Sequence, residues 1–173
     1  MNKLSLIAAA TLVVASVASA QTQGPNDAQI AAIVVAANQV DIDAGKLAES
    51  KSGNKEVKAF AKRMVTDHTG VNKSATALVT KLKVKPEANP TSISLKKDGQ
   101  DTLKHLKGLK GSAFDKAYID NEVTYHQTVL DAIDKTLIPS AKNEELKALL
   151  VKVRPAFVDH LEHAKRLQAS LGK

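Results

Sequence analysis

Four long segments of this chain repeat apolar residues at alternating steps of four and three. They span residues 26–52, 54–83, 112–137 and 143–171. This spacing places the apolar residues on one face of an α-helix, and no segment shows the two-residue alternation of a half-buried strand. The sequence therefore predicts an all-α fold with four long amphipathic helices. The break at Gly53 allows only a short turn between the first two helices, so they should pack antiparallel.

The connection between the second and third helices is long. Pro86 and Pro90 end the second helix, and leucines at helical spacing then predict a short amphipathic helix over residues 93–109. Gly99 should weaken this helix, and Gly108 should close it. One long connection of this kind is typical of ferritin-like bundles. We therefore expect a ferritin-like four-helix bundle with a long, partly helical crossover between helices 2 and 3.

Two further prolines bear on the helix boundaries. Pro139 should stop the third helix, because proline donates no backbone hydrogen bond and its ring clashes with the preceding turn. Pro155 lies inside the apolar repeat of the fourth helix. We expect it either to kink that helix or to start it afresh just before His160.

The N-terminal residues have the pattern of a secretory signal peptide. A short basic start with Lys3 precedes an uncharged apolar run over residues 4–17, and Ala18-Ser19-Ala20 offers small residues for cleavage before Gln21. The apolar run is too short for a membrane span, and no later stretch approaches the ~20 apolar residues that a spanning helix needs. We therefore expect an exported, periplasmic and soluble mature protein without a transmembrane segment. Its parts are a signal peptide (1–20), a short N-terminal extension (21–25) and a bundle domain (26–173).

The composition excludes several classes of function. The chain has no Cys, which rules out disulfides and thiol redox chemistry. Its formal net charge of +7 indicates a lysine-rich, solvated surface. Nucleic acid is not an expected partner of an exported chain with three Phe, two Tyr and no Trp to stack on bases. No nucleophile elbow, phosphate-binding loop or Cys/His zinc spacing supports a hydrolase or a nucleotide-binding protein.

Three histidines occupy positions that normally hold aliphatic residues. His68, His126 and His160 each fall on the apolar face of a different predicted helix. At ~1.5 Å of rise per residue, these three and Asp41 of the first helix lie near the middle of the bundle, within about one turn of each other. A buried imidazole is costly unless both ring nitrogens are satisfied. Side chains that meet at one level from facing helices are how bundles build metal sites.

Three imidazoles and one carboxylate suit Zn²⁺, Cu²⁺ or Fe²⁺, whereas a di-iron site needs more carboxylates. His163 and Glu122 are weaker candidate ligands, and Met64 either fills the core or adds a thioether to a copper site. We expect Asp41 to face His68 across the first helix pair, directly or through one water, and to orient that ring.

A buried hydrogen-bond network without metal is the alternative for the same residues. In that network Asp41 accepts hydrogen bonds from the imidazoles. His105, in the crossover, lies off every apolar face and is expected to be exposed.

Sequence elements on all four predicted helices are shared with a known family. The elements are residues 44–48 (Ala-Gly-Lys-Leu-Ala), residues 57–65 followed by Asp67-His68, residues 114–118 (Phe-Asp-Lys-Ala-Tyr) followed by His126, and residues 160–164 (His-Leu-Glu-His-Ala). With them the chain resembles domain-of-unknown-function family 4142, exported bacterial proteins with a ferritin-like fold. The resemblance implies the bundle and a site at these histidines, and it implies no established reaction. The family usually has Glu where this chain has Asp41, and the shorter side chain favours contact through water.

Three functional hypotheses follow. The first is a periplasmic metal-binding protein in metal handling or envelope stress. The second is a metal-free bundle that acts as an interaction or protective module. The third is an oxidoreductase that uses the same site with an open coordination position.

Overall fold

The computed structural model describes residues 24–172, so the predicted signal peptide lies outside the described residues. This part of the chain is helical and contains no strand, which confirms the all-α prediction. The helices are α1 (Asp27–Lys51), α2 (Lys55–Lys81), α3 (Pro90–Gly108), α4 (Gly111–Ala132), a π-helical turn (Ile133–Leu137), α5 (Ile138–Ser140) and α6 (Glu144–Leu171).

Asparagine side chains fix the starts of four of these helices. Asn26 and Gln29 form a reciprocal capping box at the start of α1, as their three-residue spacing indicates. Asn54, Asn89 and Asn143 cap α2, α3 and α6 by accepting hydrogen bonds from backbone N–H groups of the first turn. These groups have no partner within the helix, so each cap stabilises its helix by about 1 kcal/mol.

Helices α1, α2, α4 and α6 form the bundle, and α3 is the crossover that packs on the outer side of α1. The close approach of α3 to α1 depends on Gly99. A Cβ atom at this position would lie 2.7 Å from a methyl group of Val40. The expectation that Gly99 weakens the helix therefore misses its role, because α3 continues through Gly99 and uses its missing side chain to approach α1.

The two prolines are accommodated within helical segments. The sequence predicts that Pro139 stops the third bundle helix, and this is wrong. Pro139 follows a π-helical turn and lies in the short helix α5. The wider turn bonds Ile138 N–H to the Ile133 carbonyl, five residues back, which relieves the crowding that a proline ring causes in an α-helix. Pro155 likewise does not start its helix afresh, because α6 is continuous from Glu144 to Leu171.

The core consists of two hydrophobic clusters. One cluster contains Ile30, Leu130, Leu150 and Phe157, and the other contains Phe60, Met64, Phe114 and Tyr118, together with further apolar residues in each. The buried polar side chains of α1, α2, α4 and α6 occupy the bundle between these apolar residues. In the described range, no helix is both long and apolar enough to span a membrane.

Candidate metal centre

The three core histidines meet inside the bundle. His68 comes from α2, His126 from α4 and His160 from α6, and each is at most 1% exposed. Their ring centroids are 5.2–5.6 Å apart. One nitrogen from each ring lies within 4.8 Å of one from each of the others. The convergence expected from helix depth is therefore present in the structure.

Two buried carboxylates lie beside the rings. Asp41 of α1 places Oδ2 2.6 Å from His68 Nε2 and 3.5 Å from His126 Nε2. Glu122 of α4 places Oε2 3.5 Å from His126 Nδ1. Asp41, Glu122 and His126 form a second group whose potential ligand atoms lie within 4.8 Å of one another. Five side chains from four helices thus meet in one region.

Carbonyl groups hold the Nδ1 atoms of two rings. His68 Nδ1–H donates to Asn38 Oδ1 at 2.7 Å, and the Asn38 amide nitrogen donates to the Val34 carbonyl at 2.8 Å, which fixes the orientation of the amide. His126 Nδ1–H donates to the Glu122 backbone carbonyl at 3.0 Å. A carbonyl can only accept, so in the neutral form of each ring the proton lies on Nδ1 and the lone pair lies on Nε2. Both lone pairs then face the carboxylate of Asp41.

The centre therefore contains acceptors that face acceptors. In residues 24–172, hydrogen-bond partners are lacking for both carboxylate oxygens of Asp41 and Glu122 and for Nε2 of His68 and His126. The 2.6 Å contact between Asp41 and His68 is close, but it lacks the alignment of a hydrogen bond. Unsatisfied buried polar groups are costly, and a cation placed between Asp41 and the two Nε2 atoms would satisfy lone pairs on each of them.

The spacing of these atoms is compatible with a small transition-metal ion. Metal–ligand bonds of ~2.1 Å in tetrahedral geometry separate neighbouring ligand atoms by ~3.4 Å. The 3.5 Å between Asp41 Oδ2 and His126 Nε2 has this value. The 2.6 Å between Asp41 Oδ2 and His68 Nε2 would have to widen by less than about 1 Å.

His160 is held differently. Its Nε2–H donates to Asp67 Oδ2 at 2.8 Å, and the same oxygen accepts a 3.2 Å hydrogen bond from Arg63 Nε. The remaining nitrogen, Nδ1, is buried without a hydrogen-bond partner among the described residues. A carboxylate bonded to one ring nitrogen raises the basicity of the other, which is the usual support of a metal-ligating histidine. His160 can therefore offer Nδ1 to an ion.

Burial and mutual charge perturb the acids and bases of the centre. Burial raises the pKa of Asp41, but the positive charge that the His68 and His126 rings carry when they are protonated outweighs burial and lowers the pKa to about 2. Burial, followed by the negative charge of Asp41, raises the pKa of Glu122 well above its usual range. Burial lowers the pKa of His160 to about 4, against the influence of Asp67. Burial likewise lowers the pKa of His126. Neutral imidazoles are the form that ligates metals.

The remaining sequence candidates lie outside this centre. His163 is half-buried against the edge of the Phe60 ring, with 5.1 Å between centroids, and it belongs to neither ligand group found among the described residues. Met64 is fully buried in the hydrophobic cluster around Phe60, as a core residue would be. His105 is exposed, as expected.

Two residues of the centre were missed by the sequence reasoning. Asp41 faces Nε2 of His68 directly, as the sequence predicts, and Asn38 holds Nδ1 on the other side of the ring. Asn38 precedes Asp41 by three residues, which places both on one face of α1, and this spacing was the available signal. Asp67 precedes His68 directly, so it points about 100° away around α2 and reaches His160 instead.

The fold and the site define an all-α bundle with a buried cluster of histidines and carboxylates between its helices. The chain belongs to the family described as Domain of unknown function (DUF4142), whose sequence model matches residues 13–167. This match confirms the resemblance seen in the sequence elements. No curated protein and no solved structure matches the chain.

Proposed function

We propose that this protein is an exported, periplasmic bundle protein that binds one transition-metal ion in its core and acts in metal handling or envelope stress. Asp41, His68 and His126 are the proposed principal ligands, with Glu122 and His160 as flanking ligands. Zn²⁺, Cu²⁺ and Fe²⁺ match this mixture of imidazole and carboxylate donors.

One observation carries the proposal. The Nδ1 atoms of His68 and His126 are held by carbonyl oxygens, so that both Nε2 lone pairs face the unpartnered carboxylate of Asp41. An arrangement of acceptors without donors is unfavourable in the buried core and becomes favourable when a cation is added. Export is supported separately, by the signal-peptide pattern of residues 1–20.

Metal analysis of protein without a His-tag tests the proposal. The chain is expressed with its own N-terminal segment, recovered from the periplasm and analysed for metal content per chain. We expect about one ion per chain for the wild-type protein and a large loss in His126→Ala. His105→Ala, which removes an exposed histidine, is the matched control and should retain the ion. A metal-free wild-type protein that also fails to take up added Zn²⁺, Cu²⁺ or Fe²⁺ would contradict the proposal.

A metal-free bundle with an interaction or protective role is the second candidate function. The 2.6 Å contact between Asp41 and His68 favours it, because a proton between the two groups would also stabilise the centre. In that case His68→Ala and Asp41→Ala should each destabilise the protein, and added metal should stabilise neither variant nor the wild-type protein.

A further inference from the structure

A cavity of about 310 Å³ lies between α1, α3 and α4 and reaches the carboxylate side of the candidate metal centre. Asp41 and Glu122 are among its lining residues. Both side chains are 1% exposed, and their carboxylate oxygens lack hydrogen-bond partners within residues 24–172. The cavity therefore reaches two of the carboxyl groups that are proposed as ligands of the centre.

The residues that line the cavity range from exposed to buried. Asp98 of α3 and Thr124 of α4 are exposed, Thr102 and Asn121 are half-buried, and the two inner carboxylates are buried. The lining thus offers hydroxyl, amide and carboxyl groups at exposed, half-buried and buried positions, beside apolar residues such as Val40, Leu95 and Val129. Oxygen atoms are the groups that replace water around a hard or borderline cation.

The charge of the lining also favours a cation. The lining includes the carboxylates of Asp41 and Asp98 and the carboxyl group of Glu122, and neither lysine nor arginine among the described residues. This contrasts with the net positive charge of the whole chain, which is +7. Low-dielectric walls with charges of one sign concentrate the opposite ion. The volume is also sufficient for an ion with part of its water shell, since one water occupies roughly 30 Å³ in the liquid.

A second cavity near the centre lacks these properties. It has a volume of about 130 Å³ and is bounded by Asn38, Phe157 and aliphatic side chains such as Ile33 and Leu150. Hydrocarbon walls give a cation that is losing water no replacement ligands, and this makes the path costly. The cavity under α3 has carboxyl, hydroxyl and amide groups in its lining and is therefore the more favourable route.

We propose that the cavity between α1, α3 and α4 is the path by which a divalent cation reaches and leaves the centre, with Asp98 attracting the ion at the mouth. This inference rests on the proposed function. Gly99 contributes by its close packing on Val40, which holds the neighbouring Asp98 and Thr102 of α3 over α1. A path changes the rates of uptake and release by one common factor, because the ion passes the same barrier in both directions.

Stopped-flow mixing of the metal-free mature chain with Co²⁺ tests this path, because Co²⁺ gains visible absorbance when nitrogen and oxygen ligands replace water. Asp98→Asn removes the charge at the mouth, and Thr124→Phe narrows the mouth. We expect uptake to slow about 3–10-fold in Asp98→Asn at low ionic strength, with a smaller effect in high salt. Thr124→Phe should slow uptake by more than tenfold, and Thr128→Phe, one turn further along, provides a second obstruction. The dissociation constant should stay within about twofold of wild type in each variant, as expected for a path.

Two variants outside the cavity lining serve as matched controls. Asp101→Asn removes a neighbouring carboxylate of α3 that pairs with Lys97. Thr66→Phe changes an exposed threonine on α2 whose hydroxyl bonds the carbonyl four residues back, as that of Thr124 does. Both controls should take up Co²⁺ at the wild-type rate.

The outcomes separate the path from the site. Wild-type uptake rates in Asp98→Asn and in both phenylalanine variants would overturn the path and leave the metal site in place. A weaker dissociation constant with an unchanged association rate would make these residues ligands and would also overturn the path. If the wild-type chain takes up no Co²⁺, Zn²⁺, Cu²⁺ or Fe²⁺, both the path and the proposed function are wrong.

Discussion

Replacing Glu122 by Gln should stabilise the metal-free protein and weaken the proposed metal site. Glu122 is 1% exposed, and both of its carboxylate oxygens lack hydrogen-bond partners within the described residues. Burial and the charge of Asp41 raise its pKa well above its usual value of 4.5, so above that value the folded chain holds a proton that the unfolded chain releases. Gln has nearly the same shape and carries no charge, so this cost disappears in the variant.

The size of the effect can be bounded. Keeping a carboxyl group protonated at pH 7 costs at most 1.36 kcal/mol for each pH unit above its unfolded pKa, or about 3 kcal/mol here. We therefore expect Glu122→Gln to raise the free energy of unfolding of the metal-free protein by about 1–3 kcal/mol at pH 7. This corresponds to an increase in melting temperature of roughly 2–12 °C for a domain of this size. Because the carboxyl is protonated in both states below its unfolded pKa, the gain should vanish near pH 4.

Added metal should stabilise the wild-type protein more than the Glu122→Gln variant. At a metal concentration 100 times its dissociation constant, binding stabilises the wild-type protein by about 2.7 kcal/mol. If the loss of Glu122 as a ligand weakens binding about 100-fold, the same concentration stabilises the variant by only about 0.4 kcal/mol.

Chemical denaturation with and without metal, at pH 7 and pH 4, measures all of these quantities. Glu162→Gln is the matched control, because Glu162 is an exposed carboxylate on α6 whose removal should change stability by less than about 0.5 kcal/mol. A metal-free Glu122→Gln protein that is less stable than wild type by more than about 1 kcal/mol at pH 7 would refute the reasoning. Such a loss would mean that the carboxyl is already satisfied in the fold.

Three further predictions concern the core, the pH dependence and the N-terminus. Phe157→Ala should lower the free energy of unfolding by about 3–5 kcal/mol, because this buried ring packs on His68 with 4.9 Å between centroids; a loss below about 1 kcal/mol in denaturant titrations would contradict this. Burial lowers the pKa of His160 from 6.5 to about 4, so the unfolded chain binds an extra proton between these values. The free energy of unfolding of the metal-free protein should therefore fall by up to about 3 kcal/mol as pH falls from 6.5 to 4, and that of His160→Gln should fall less. Equal dependence of the free energy of unfolding on pH in the two proteins would argue against this burial effect. Mass spectrometry of exported protein should find Gln21 as the first residue, and a retained segment 1–20 would exclude cleavage at the predicted position.

The amino-acid sequence determined the helices, their buried faces and the meeting of the three histidines. These features follow from the period and rise of the α-helix, which are local properties of the backbone. His68, His126 and His160 lie on apolar faces at similar depths, so packing those faces together was enough to bring them close.

Only the tertiary structure decided how the centre is oriented and where it opens. Asn38 holds the His68 ring and Asp67 holds His160 through contacts between different helices, which helical spacing cannot specify. The path of the chain through Pro139 depends on a π-helical turn, and the position of α3 on α1 depends on the fit of Gly99 against Val40. Such features depend on rotamers and on pairs of atoms far apart in the chain, so they become defined only when the helices pack.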